Sequence, residues 1–226
     1  MKNVEIYEKL AKKYDLATKV VSFGIEDMWR KKFVKHIKKY IKDGVLLDVA
    51  SATGDMAREM DFSKMYLLDP SKEMNKIARE KFGMESGEGR REEKEVIFIE
   101  DFAESFQLDE KVDLITAFMA VRNFDNLDKG MQNLDKYLKI GGYFAIIELT
   151  KSDSLLFKLS SFYMAKIVPI LGGFITKQYD SYKKFDKMIK NIDDNEILKN
   201  LQNYEIVEYK RLFPPIASMI IARRNG

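Results

Sequence analysis

The chain predicts an α/β fold, a doubly wound and mostly parallel sheet with helices on both faces. Between Gly44 and Thr150, short apolar runs alternate with helical stretches, the pattern of strands joined by crossover helices. The runs are apolar at successive positions and do not alternate, as expected of strands covered on both faces. With 226 residues, 46% of them hydrophobic, the chain can fill one core. One domain in three stretches is expected: helices over 1–43, the sheet over 44–152, and helices with two last strands over 153–226.

The first two elements are amphipathic helices. Tyr7, Leu10, Ala11 and Tyr14 recur at helical spacing from Glu5 to Tyr14, and Trp29, Phe33, Ile37 and Ile41 do so from Met28 to Ile41. The strand VLLDVA follows, then a helix from about Asp55. MYLLD leads into the helix SKEMNKIAREKF, and VIFIE comes next, after the glycine-rich charged loop from Gly83 to Glu95. VDLITAFM precedes the helix NLDKGMQNLDKYL, and YFAIIELT closes the alternation. Leu155 to Ile175 is apolar but broken by Lys158, Lys166, Pro169, Gly172 and Gly173, which predicts an amphipathic helix followed by a turn. A helix near Ser181 to Lys190 is expected next. Asp193, three residues before Glu196, then marks a capping-box start. EIVEYKRLF and ASMIIAR are the last two strands.

Composition excludes several functions. There is no cysteine, so no disulfide scaffold or thiolate metal site forms, and the single histidine, His36, offers no metal cluster; no metal is expected. His36 stands in WRKKFVKHIKKY and is expected on the exposed charged flank. No apolar run has the length of a membrane span and the N-terminus has no apolar signal core, so a cytosolic protein is expected. Residues 1–43 hold twelve Lys/Arg against six Asp/Glu, a basic face that suits water, anionic lipid or nucleic acid.

The stretch LLDVASATGD is the first strand-to-helix turn, the place where ligands of open α/β sheets bind. Its small residues permit close backbone approach, and the helix start offers free N–H groups. Asp48 at the strand end would repel a phosphate, and Gly54 alone remains of a dinucleotide fingerprint. Asp69 ends the next strand, twenty-one residues on, the spacing at which an acid binds a ribose diol. Two acids, a small-residue loop and no phosphate clamp suggest a nucleoside without phosphate, and S-adenosylmethionine fits.

Further segments carry a resemblance. YDLATKVVSFGIEDMW offers Tyr14, Asp15, Ser22, Gly24 and Trp29; the turn offers Asp48, Ala50, Thr53, Gly54 and Asp55; VRNFDNLDKGMQNLDKYLKIGGYFAIIEL offers Arg122, Asn123, Gly141, Gly142 and Glu148. FYMAKIVPILG from Phe162 and DSY from Asp180 follow in order. Together these resemble the ubiquinone/menaquinone biosynthesis C-methyltransferase family over nearly the whole length. The resemblance implies a Rossmann-like class I methyltransferase fold with an N-terminal helical lid and an antiparallel C-terminal strand. It implies S-adenosylmethionine held by Asp48, Ala50, Ser51, Thr53, Gly54, Asp69, Pro70, Asp101, Phe102, Ala103, Phe118 and Met119, with adenine read by Asp101 or by backbone near Phe102. The acceptor it implies is a prenylated quinol methylated on carbon, with Arg122, Tyr14 and Asp15 as catalytic residues. Arg122 would stabilise an oxyanion or orient a water, unless it is only an ion-pair partner of Asp125 or Glu148. Peripheral membrane contact through the basic helix Met28 to Tyr40, with Leu155 to Ile170 shielding the tail, is the accompanying expectation, and a homodimer is left open.

The chain departs from the family at Ser51 and Ala52, where the loop usually has glycine, at Thr18 for asparagine, and at Phe102 in the third-strand motif. It departs also at Lys184 and Met188 and across FPPIASMI (213–220), where an acceptor pocket would be completed. Another aromatic or lipid acceptor is therefore the second reading. An RNA methyltransferase is disfavoured by FMAVRNF, which lacks the N-P-P-Y type of loop used on exocyclic amines, and no nucleic-acid partner is expected. A non-catalytic cofactor-binding protein is the fourth reading. The cluster Phe162, Tyr163 and Met164 is expected in the core.

Overall fold

The computed structural model describes residues 4–60, 62–84, 94–151, 155–177 and 192–226. Its strands are β1 (Val45–Val49), β2 (Lys64–Leu68), β3 (Glu95–Ile99), β4 (Val112–Phe118), β5 (Leu138–Leu149), β6 (Tyr204–Leu212) and β7 (Ala217–Arg224). They form one sheet in the order β3-β2-β1-β4-β5-β7-β6. The first five are parallel, and β7 runs antiparallel between β5 and β6. The order reverses at β1 and β4, so a crevice opens above the carboxyl ends of these two strands.

Among the described residues three α-helices, not two, precede the sheet: α1 (Val4–Leu10), α2 (Tyr14–Val21) and α3 (Ile25–Ile37). The expected first helix is α1 continued by a 3₁₀ turn over Ala11–Lys13, and α2 was not anticipated. Gly24, at φ 72°, is the left-handed hinge that starts α3 ahead of Met28. The crossovers are α4 (Asp55–Glu59), α5 (Lys72–Phe82) and α6 (Leu127–Tyr137). Ser71 caps α5 by accepting from Met74 N–H, and Asn126 caps α6 by accepting from Lys129 N–H.

Two buried clusters cover the sheet. On one face Val121, Met131 and Leu134 pack with Phe106 and Ile197. On the other Trp29 and Phe33 of α3 pack with Met56, Ala78 and Phe82. A third, small cluster of Ile6, Leu10, Ala17 and Val168 joins α1 and α2 to α8 (Val168–Thr176), which follows α7 (Leu155–Lys166). These four helices roof the crevice. Gly172 and Gly173 do not make the expected turn; they are buried within α8, where Pro169 occupies the first turn. Asp193 and Glu196 form the expected capping box of α9 (Asp194–Leu198). The expected helix at Ser181 to Lys190, the DSY stretch, Lys184 and Met188 lie outside the described residues, as does most of the Gly83 to Glu95 loop.

His36 is a correction. It is buried, with Nδ1 2.7 Å from a Glu208 carboxylate oxygen on β6. The run of lysines around it marks the solvent side of α3; the histidine itself turns inward. Phe162 is a second correction, 60% exposed where core was expected. Its neighbour Tyr163 is half-buried and donates to Val21 O at 2.8 Å, and the Met164 side chain is outside the described residues.

Candidate active site

A cavity of about 730 Å³ lies between the sheet's carboxyl edge and the helical roof. Its floor is the β1–α4 turn. Asp48 ends β1 almost wholly buried, and its Oδ1 accepts from Thr116 Oγ1 at 2.7 Å. Burial above all, with repulsion from Asp69, pushes its carboxyl up to about 7 against the Thr116 hydrogen bond. Asp48 Oδ2 and Ser51 Oγ are buried without a hydrogen-bond partner among the described residues. Such atoms are costly unless a ligand satisfies them. Ala50 and Ala52 both sit in the left-handed region, at φ 51° and 47°. The turn keeps a glycine-like path through alanine, a strain of about 1–2 kcal/mol per residue.

Asp69 ends β2 with one oxygen accepting Ala52 N–H and the other Ser71 N–H, both at 2.9 Å. Its burial pushes the carboxyl up to about 6, although both backbone bonds pull the other way. Beside it on the cavity wall are Pro70 and, after β3, Asp101, Phe102 and Ala103. Asp101 Oδ1 accepts Phe102 N–H at 2.7 Å and Ser105 Oγ at 2.6 Å, which fixes the carboxylate toward its own turn. Ala50, Ser51, Thr53, Phe118 and Met119 also line the cavity. Gly54 does not: it lies beneath the turn, where an added Cβ would come within 2.9 Å of the Phe82 ring. That glycine serves close helix–sheet packing.

The roof contributes Tyr14 and Asp15. Asp15 accepts from Thr53 Oγ1 at 2.7 Å and pairs with Lys81 Nζ at 2.6 Å, while Lys81 also pairs with Asp55 at 2.7 Å. This clasp ties α2 to the donor turn and to α5. Tyr14 lines the cavity with a hydroxyl pushed well up by burial first and by the charge of Glu26 second. Arg122 enters from the 3₁₀ turn after β4, which follows Met119 at φ 56°. Its guanidinium pairs with fully buried Glu148, whose other oxygen accepts Arg122 N–H at 3.1 Å. The anticipated ion pair with Glu148 therefore exists, and Arg122 still lines the cavity. Pro214 and Ile216 of the 213–220 stretch close the wall near Trp29, whose Nε1 donates to Phe213 O at 2.9 Å.

Residues 1–223 match the profile of the ubiE/COQ5 methyltransferase family. The chain belongs to that family. The demethylmenaquinone methyltransferase of Bacteroides fragilis is 29% identical, over 97% of this chain and 91% of its own. A ubiquinone/menaquinone biosynthesis C-methyltransferase of Geotalea daltonii is 34% identical over 79% of this chain and 76% of its own. Among solved structures, S-adenosylmethionine-dependent methyltransferases of Thermotoga maritima and Clostridium acetobutylicum superpose with TM-scores of 0.65 and 0.63 at 16% and 14% identity. The first alignment covers 98% of this chain and 99% of the other, the second 95% and 98%. These two share the fold.

As a member of this family the chain is an S-adenosylmethionine-dependent methyltransferase with the class I fold. The cavity suits that donor. Two orphaned buried oxygens, a buried carboxylate at each of two strand ends and a close-approach turn match a ligand with an ammonium, a diol and no phosphate. Bound there, the donor supplies an electrophilic methyl group activated by its sulfonium.

Sequence reasoning missed Glu26, Arg30 and Tyr7, which also line the cavity. In the sequence Tyr7 is one member of a helical stripe, and Glu26 one residue of YDLATKVVSFGIEDMW. The chain carried no local signal for either, since the roof brings them to the site.

Proposed function

We propose that this methyltransferase transfers a methyl group to a ring carbon of a prenylated quinol. Its relatives' names point to that acceptor class. The observation that carries the reading is the cavity's mixed lining: the carboxylates Asp48 and Asp69 at strand ends, together with Tyr14, Arg122, Trp29, Leu159 and Tyr163. Asp69 would hold the ribose diol, Asp48 and Ser51 the amino-acid end, and Asp101 the adenine amine through Oδ2. Arg122 would face the acceptor's oxygen, where a fixed cation lowers the cost of developing negative charge. Asp15, bound to Lys81, acts as a positioning residue for the roof. Tyr14, kept neutral by burial, donates to the acceptor.

Contact with a lipid surface is part of the proposal, moved from its expected place. The apolar side of α3 is committed to the sheet through Trp29, Phe33 and Ile37. Leu155, Leu159 and Phe162 of α7, Ile170 and Phe174 of α8, and Phe23 are exposed, Leu159 and Phe23 among them lining the cavity, and are read as its apolar rim, on the segment expected to shield the tail. No helix among the described residues is long and apolar enough to cross a membrane. A prenyl tail would leave the cavity at this rim.

The test is anaerobic incubation with methyl-labelled S-adenosylmethionine and a short-tailed demethylmenaquinol. One label per ring, on carbon, is expected. Label on oxygen, or on RNA and not on the quinol, would contradict the reading.

A further inference from the structure

Taking up a hydroxyl proton of the acceptor makes the adjacent ring carbon far more nucleophilic, and arginine is too weak a base to take it. Most carboxylates at the cavity are committed. Asp48 keeps one oxygen unpartnered, but at the end of β1 where the donor's amino-acid end would take it. Asp69 is bound by two backbone N–H groups, Asp101 by Phe102 N–H and Ser105 Oγ, Glu104 by Asn126 N–H, Asp15 and Asp55 by Lys81, and Asp27 by Arg30 at 2.5 Å. Glu148 is held behind the wall by Arg122. Glu26 differs. It lines the cavity from the first turn of α3, and no hydrogen bond or ion pair holds its carboxylate among the described residues.

The groups facing it come from three elements. Arg30 and Asp27 lie on its own helix, Tyr14 and Asp15 on α2, and Arg122 on the turn after β4. Arg30 is itself engaged by Glu59 Oε1 at 2.8 Å and by Asp27, so it lends charge without closing over the carboxylate. Glu26, Tyr14 and Arg122 thus all line the cavity within electrostatic reach of one another.

We propose that Glu26 is the general base of the reaction, taking the proton from the acceptor hydroxyl next to the ring carbon that is methylated. The inference rests on the acceptor being a hydroxylated aromatic ring. The O–H bond breaks, the proton passes to the Glu26 carboxylate, and the electron pair left on oxygen conjugates into the ring. The adjacent carbon then bonds the methyl carbon while the carbon–sulfur pair returns to sulfur. That ring carbon next loses its own hydrogen to water as a proton, the ring regains its π pair, and Glu26 returns a proton to the oxygen. One methyl is gained and one proton is released, which balances the charge lost from the sulfonium.

The protonation state agrees with this role. Burial, opposed by Arg30 and Arg122 and aided by Asp27 and Asp15, pushes the Glu26 carboxyl up to about 7. A base is most effective when its pKa lies near the working pH.

The experiment compares pH–rate profiles of wild type, Glu26→Gln and Glu26→Asp with a short-tailed demethylmenaquinol, alongside calorimetry of S-adenosylmethionine binding. Wild type is expected to show an acidic limb in kcat/KM near pH 7. Glu26→Gln should lose about 100-fold or more in kcat together with that limb, at unchanged donor affinity. Glu26→Asp should keep the limb at reduced rate. A Glu26→Gln variant within about threefold of wild type, or one that is slower but keeps the limb, overturns the proposal. If Glu26→Gln does not fold, a Glu26→Asp profile without the wild-type limb overturns it. Wild type that binds the donor yet leaves every quinol unmethylated overturns the acceptor reading instead, and the base assignment falls with it.

Discussion

The floor and the roof of the cavity are held by different physics. Asp48, Asp69 and the turn between them stand on strand ends whose neighbours, among them Leu47, Leu67 and Thr116, are fully buried. The roof helices α1, α2 and α8 share a cluster of four buried apolar residues, against which half-buried Tyr163 of α7 packs. They are further fastened by individual polar contacts, among them Lys81 and Thr53 to Asp15, Tyr7 to Asn123, Tyr163 to Val21 O, and Lys13 Nζ to Ile175 O at 3.0 Å. Segments with few buried contacts open at lower free energy than core strands. On the proposed function, the donor would be bound on the floor, and the acceptor would enter under the less firmly held roof.

Breaking the wall between the two halves should have the largest effect. Arg122→Ala leaves buried Glu148 without its countercharge, and a cost of about 3–5 kcal/mol in chemical denaturation is expected. The double variant Arg122→Met with Glu148→Met should recover most of that stability without activity. A small loss in the single variant would mean that the pair is not structural and that Arg122 faces only the acceptor.

The floor should show the opposite behaviour. Asp48 has a folded pKa of about 7 against an ordinary 3.8. The folded chain therefore binds a proton that the unfolded chain has already lost, and stability falls as pH rises from about 4 to about 7. Asp48→Asn keeps an acceptor for Thr116 and removes that loss. Without donor it should match wild type near pH 4 and exceed it by at least about 1 kcal/mol at pH 8, measured by thermal unfolding, while binding S-adenosylmethionine more weakly. Equal stability at both pH values would show that Asp48 is not strained by its burial.

The roof should respond least in stability. Lys81→Ala removes a partly exposed clasp, for which less than about 1 kcal/mol is expected. Its signature is kinetic: KM for the acceptor should rise several-fold with donor affinity nearly unchanged. A large drop in donor affinity would place Lys81 on the floor's side of the comparison.

The same division governs what could be read from the sequence. Apolar runs ending in Asp48 and Asp69 are local signals, since a strand covered on both faces and a carboxylate at its end are both written within a few residues. The roof is a tertiary product. The stripe over Tyr7, Leu10 and Tyr14 identified a helix, yet α2 went unseen because its partners Val168 and Tyr163 lie about 150 residues away. His36 looked exposed for the same reason: Glu208, which pairs with it, is 172 residues distant. Glu26 carried no pattern beyond an acid at a helix start, and only folding sets it beside Tyr14 and Arg122. Gly54, expected among the cofactor-binding residues, instead stands against the Phe82 ring, a contact no local pattern shows.

Calorimetry of S-adenosylmethionine binding to wild type and to Asp69→Ala tests the division most directly. Micromolar binding to the folded wild type and a loss of about 30-fold or more in the variant, roughly 2 kcal/mol, is the predicted result. Equal affinity in the two proteins would contradict it, because the donor would then be held somewhere other than on the sheet's floor.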